Sequence, residues 1–146
     1  MALRDYYQYR QLDSVVKDIP REKLPTLGDL RTRKSSPTCL TYTSEAAQMR
    51  THFRDYVLQI IFEAAQRELG DTLKSANVLV EYDQYEPEPV PPALVVSIAA
   101  DIDGEQFGIA HRAVSKAVAK EVRYWSKSER EDYLKRIHYV ITPLRI

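Results

Sequence analysis

An α+β domain is the fold this sequence predicts, and three observations carry it. Apolar residues recur at steps of three and four from Ala46 to Ala64, and a period-two alternation follows over Asn77 to Asp83. A second stripe of helical spacing opens after Asp103-Gly104. Helices and strands in that sequence pack as helices on one face of a small sheet. The expected order is an N-terminal helix, then α-β-β-α-α-β with a three-stranded sheet. The division this implies is residues 1–43 as N-terminal helix and connector, and 44–146 as a single α+β domain.

Leu3, Tyr6, Tyr7, Leu12, Val15, Val16 and Ile19 predict a first helix, which Pro20 ends. The stretch to Thr43 holds Pro25, Gly28, Pro37 and the run Arg31-Thr-Arg-Lys-Ser-Ser36, and reads as a long connector. Thr43 or Ser44 is placed to cap a helix that runs to Leu69 and closes at Gly70. Its core stripe is Ala46, Met49, Phe53, Val57, Ile60, Ile61 and Ala64. Val78, Val80 and Tyr82 alternate with Leu79, Glu81 and Asp83 as a half-buried strand. Glu86-Pro-Glu-Pro-Val-Pro-Pro92 lacks backbone donors at its prolines and is an extended loop. Ala93 to Ile102 is a second, more buried strand. Next comes the helix of Ile109 to Lys127, then a short helix opened by Ser126 with Glu129 or Ser128 with Glu131, each a Ser-x-x-Glu cap. His138 to Thr142 is a last strand limited by Pro143.

The helix of Ile109 to Lys127 carries the only feature that points to a class of partner. Arg112, Lys116, Lys120, Arg123 and Lys127 fall within an arc of roughly 80° at about 100° per residue, nearly opposite Ala110, Val114, Ala117, Val118 and Trp125. Arg112/Lys116, Lys116/Lys120 and Arg123/Lys127 are like-charged i,i+4 pairs, each unfavourable by a few tenths of a kcal/mol. Keeping several such pairs implies an anionic counterpart. One lies in the chain itself: Glu81, Asp83, Glu86, Glu88, Asp101, Asp103 and Glu105 follow one another with no Lys or Arg between Glu81 and Glu105. The overall charge of zero hides this segregation. The counterpart is therefore either that acidic segment or an external partner.

Other chemistry is sparse. Cys39 is the single cysteine, so no internal disulfide or cysteine cluster forms. His52, His111 and His138 are scattered, no nucleophile elbow occurs, and four glycines are too few for a phosphate-cradling loop. Glu121 falls by phase among apolar residues, where a carboxylate needs a partner; catalysis, a place at the helix edge, an arginine or another subunit would each supply a reason. Asp101-Ile-Asp103-Gly104 resembles the Asp-x-Asp-Gly opening of haloacid-dehalogenase-type phosphatases, in which the first Asp is nucleophile and the second acid/base. Asp-Gly is also a turn signal, and only about 40 residues follow. Asp101 and Asp103 are the residues a metal would use, yet no metal and no cofactor are expected. In an antiparallel hairpin they stand ~25 Å along the ladder from Glu81 and Asp83, at 3.3 Å per residue.

From Ser44 to Ile146 the order α-β-β-α-α-β resembles that of the type II KH fold. That resemblance implies RNA binding through a Gly-x-x-Gly loop between two helices. The corresponding junction here is Trp125-Ser126-Lys127-Ser128, without glycine. Tyr82 and Tyr85, beside Glu86 and Glu88, supply aromatic and acidic surface suited to a protein interface. The sequence thus reads as a small non-enzymatic interaction module, oligomeric, binding a protein partner or itself. A KH-like nucleic-acid-binding protein using the basic face is the alternative, and a metal-dependent hydrolase the second. No apolar run is long enough to cross a membrane, and the first residues lack the apolar core of a leader. A cytoplasmic protein is the expectation.

Overall fold

A computed structural model describes residues 18–20, 24, 26–32, 36–82 and 91–145. Its strands are β1 (Asp18–Ile19), β2 (Thr41–Thr43), β3 (Leu73–Glu81), β4 (Ala93–Ala100) and β5 (Ile137–Pro143). Its helices are α1 (Leu27–Thr32), α2 (Ser44–Ala47), α3 (His52–Leu69), α4 (Gly104–Val122) and α5 (Lys127–Arg136), with a 3-10 turn at Gly70–Thr72. The strands lie side by side in chain order. β1, β2 and β3 are parallel, β4 is antiparallel to β3, and β5 is parallel to β4. The order α3-β3-β4-α4-α5-β5 is the one read from the sequence.

Among the described residues the sheet has five strands where three were expected. The two additions are segments of two and three residues, Asp18–Ile19 and Thr41–Thr43, too short to show any periodicity. Asp18 and Ile19 were expected at the end of a helix; they form β1, while residues 1–17 of that helix lie outside the described residues. β2 is held by what its side chains meet. Tyr42 enters the core, and the Thr41 hydroxyl donates to Asn77 Oδ1 on β3. Strands from both sides of Ser44 therefore share one sheet, and the expected connector contributes β2 and α1.

The long helix expected from Ser44 to Leu69 is two helices. Thr43 caps α2 by accepting from the Ala46 N–H, and Thr51 caps α3 by accepting from the Arg54 N–H. Arg50, in the break, makes a bidentate pair with Asp55 at 2.8 Å. Apolar spacing runs on across the break through Ala46, Met49 and Phe53, so the periodicity conceals it. Gly70, with φ 54°, ends α3 as expected, because only glycine enters this region without strain.

Alternate residues of the sheet face opposite ways. Val78, Val80, Leu94, Val96, Ile98, Ile137 and Ile141 face α3 and α4 and form the core with Leu58, Ile61, Phe62, Val114 and Trp125. The other face carries Leu79, Val95, Ser97 and Val140. There Leu30 of α1 packs with Ala99 and Leu144, so helices are not confined to one face. No helix among the described residues is long and apolar enough to cross a membrane.

Candidate functional site: a one-sign helix face

α4 begins at Asp103, whose carboxylate accepts from the Gln106 N–H at 2.9 Å while the Gln106 side chain accepts from the Asp103 N–H at 3.1 Å. This capping box fixes the start of the helix and so its rotational phase. Ala110, Val114 and Val118 are buried, and Arg112, Lys116, Lys120 and Arg123 are exposed nearly opposite. From Arg112 to Arg123 the row is about 16 Å long at 1.5 Å per residue. The expected helix, Ile109 to Lys127, is corrected at both ends, its start moving back to Gly104. Arg123 is the C-cap of α4, and Lys127 is the first residue of α5, beyond the turn at Tyr124 and Trp125. A second capping box, Ser126 with Glu129, sets the direction of α5. The stripe thus spans a helix, its end and the start of the next.

Burial of Trp125 fixes that turn. Its indole is 3 % exposed and meets Phe53, Tyr56 and Tyr133 edge-on, with ring centres 5.1, 6.3 and 5.3 Å away. Glu121, the residue whose phase called for a partner, accepts a 2.5 Å hydrogen bond from the Tyr56 hydroxyl. Burial, and then the Glu121 carboxylate, push the Tyr56 phenol well above its ordinary pKa of 10. Arg54 on α3 grips Asp132 on α5 through two bonds of 3.0 and 2.8 Å, and this carboxylate holds the guanidinium above its ordinary value. Three helices are therefore tied around the turn that carries Arg123 and Lys127.

None of the five bases has a carboxylate at ion-pair distance among the described residues. Several described acids are committed elsewhere. Asp101 pairs with Arg145 at 2.9 Å, and that guanidinium holds its carboxyl below the usual range. Asp103 caps α4, Asp55 binds Arg50 and Asp132 binds Arg54. Glu81 pairs in register with Ala93, on the face of the sheet away from α4. Glu105 shares the stripe's side of the helix, about 10 Å before Arg112 by the helical rise, in the first turn where the dipole favours an acid. Arg123 stacks over the Tyr124 ring at 4.8 Å, and Ile109 and Tyr124 are each 44 % exposed beside the basic row.

Of the surface expected around the acidic loop, only Tyr82 is described. It is 54 % exposed and its hydroxyl donates to Glu45 at 3.4 Å; Tyr85, Glu86 and Glu88 lie outside the described residues. Tyr82 borders a shallow groove of about 450 Å³ on the open face of the sheet, with Leu79, Val95 and Val140. Asp101 and Asp103, the candidate metal ligands, are the Arg145 partner and the helix cap. No three His, Cys, Asp or Glu side chains gather as metal ligands would among the described residues. Glu81 and Asp101 stand at opposite ends of the antiparallel hairpin.

One cluster has no sequence signal. Ser115 on α4 and Tyr139 on β5 share a 2.6 Å hydrogen bond, and His111 Nε2 lies 3.5 Å from the same hydroxyl. It is a seam between helix and strand, drawn from positions 24 and 28 residues apart. Comparison of the chain with protein-family models, curated proteins and solved structures finds no match.

Proposed function

We propose that this protein is a small non-catalytic interaction module that docks an acidic surface of a protein partner on the outer face of α4 and the turn into α5. The observation that carries the reading is the set Arg112, Lys116, Lys120, Arg123 and Lys127, exposed and without a carboxylate partner among the described residues. Like charges at i,i+4 disfavour the isolated helix, and an acidic surface offsets that cost on docking. Ile109 and Tyr124 flank the row and add apolar area, and Arg and Tyr are the types that concentrate binding energy in protein interfaces.

A second reading is supported by the same row: a track of cations uninterrupted by acids also suits a phosphate backbone, as the KH-like element order suggests. Zero net charge and an exposed Ile109 place it second. Fluorescence anisotropy with labelled poly-L-glutamate, a short DNA duplex and single-stranded RNA separates the two. The proposal expects poly-L-glutamate to bind best, and Lys116→Glu with Lys120→Glu to weaken it about tenfold or more. Preferred binding of nucleic acid, with a log–log salt slope approaching about −4.5 for five neutralised phosphates, would establish the second reading instead. Absence of binding at low salt, or binding indifferent to the double substitution, would overturn both.

A further inference from the structure

β5 is the last strand of the sheet, and no described strand is hydrogen-bonded along its outer side. An open edge is a template for another strand, and proteins ordinarily guard it with charge, a proline on the edge or a bulge; in β5 the one such proline, Pro143, stands at the very end of the strand. Ile137-His-Tyr-Val-Ile-Thr142 has no Lys, Arg, Asp or Glu and is rich in the β-branched and aromatic residues that favour strands. The register with β4 is unbroken from Leu94↔Ile137 to Ala100↔Pro143, so the edge has no bulge.

The backbone shows which groups are free. The Leu144 N–H donates to Ala100 O, and in a parallel ladder alternate residues bond the same neighbour. Even-numbered residues of β5 therefore turn toward β4, and Tyr139 and Ile141 turn their N–H and C=O groups outward. Pro143 agrees with this phase, because its missing N–H falls on the unbonded side. The Ile137 N–H is taken by Tyr133 O at the end of α5. Two complete donor–acceptor sets remain, those of Tyr139 and Ile141, placed symmetrically about Val140.

We infer that β5 pairs antiparallel with β5 of a second copy, about a twofold axis through Val140. In this register Tyr139 lies opposite Ile141 of the second copy and exchanges both backbone bonds with it. The twofold repeats the exchange, which uses both complete sets, while the outward carbonyls of Ile137 and Pro143 stay in solvent. Val140 meets its own counterpart as the close, non-hydrogen-bonded pair, about 4.5 Å between Cα atoms. That contact covers a valine now 50 % exposed and brings together the two grooves that Val140 borders. His138 falls opposite Thr142, so no like charges confront each other. A second copy is the occupant favoured, because the phase of the free groups is self-complementary about one residue. The inference is independent of what α4 binds.

Sedimentation velocity across a wide concentration range, together with residue-resolved amide hydrogen exchange, tests it. The mass should rise from 16.9 kDa toward twice that value as concentration increases. Val140→Lys, which puts a charge on the axis at a solvent-facing position, should hold the protein monomeric with its circular dichroism unchanged. The Tyr139 and Ile141 amides should exchange fast in the dilute monomer and slow at least about tenfold in the dimer, while the Val140 amide stays protected in both. A monomer at every concentration overturns the inference, and so does a dimer that survives Val140→Lys or leaves the Tyr139 and Ile141 amides unprotected. Poly-L-glutamate binding by the Val140→Lys variant reports separately on α4.

Discussion

Replacing Tyr56 by Phe removes one hydroxyl and tests whether its bond to Glu121 anchors the end of α4. Tyr56 is 2 % exposed, and its hydroxyl donates to Glu121 at 2.5 Å. Phe keeps the ring, so the edge-on contacts to Phe53 and Trp125, with centres 6.4 and 6.3 Å away, persist and no large cavity opens. What is lost is a hydrogen bond to an ionised acceptor, with Glu121 left half-buried without it. Such a loss costs about 1.5–3 kcal/mol. Urea denaturation should show this as a lower midpoint at unchanged m-value. A double-mutant cycle with Glu121→Gln should return a coupling within the range of about 0.5–3 kcal/mol found for residues in contact. A loss below about 0.5 kcal/mol, the range of ordinary surface substitutions, would refute the view that this bond anchors the helix, as would strictly additive single losses. The same residue predicts alkaline behaviour. Its folded pKa is raised above the unfolded value near 10, so the folded state holds the phenolic proton more tightly. The stabilisation is complete below pH 10 and is lost as pH rises above it toward the folded pKa. Melting temperature should therefore fall more steeply above pH 10 in the native protein than in Tyr56→Phe.

Asp132→Asn breaks the partly buried bidentate grip on Arg54, and should lower stability by about 1–2 kcal/mol in urea titrations while Arg54 keeps its 2.8 Å bond to Met49 O. Thr51→Ala removes the cap of α3 and should cost about 1 kcal/mol, whereas Thr51→Ser, which keeps the hydroxyl, should restore most of it.

The sequence was legible where a signal is local and repeated. The 3.6-residue stripe of α3, the alternation of β3, the capping box at Ser126 and the basic row each leave several residues in phase. Val57, Val78, Val80 and the four bases of Arg112 to Arg123 are where the spacing put them, whereas Tyr82 is exposed past the end of β3 and Lys127 opens α5. The phase of Glu121 correctly demanded a partner, but not which one. Tyr56 sits three residues after Phe53 on the buried stripe of α3, and that position was the available sign. The five-stranded sheet was not legible, because β1 and β2 are only two and three residues long and owe their existence to pairing with β3. The break before α3 was hidden by apolar spacing that continues across it, although Thr51 is a capping type. The Ser115–Tyr139–His111 seam exists only once β5 has been laid beside α4.

The docking surface proposed is the outward face of α4 and the turn into α5. Titrating the isotope-labelled protein with poly-L-glutamate, and following backbone amide shifts residue by residue, tests it most directly. Shift changes should concentrate between Arg112 and Lys127, fade as salt is raised, and be lost in the Lys116→Glu, Lys120→Glu variant. Shifts centred on the open face of the sheet around Leu79 and Val95, or scattered over the surface without saturation, would contradict it.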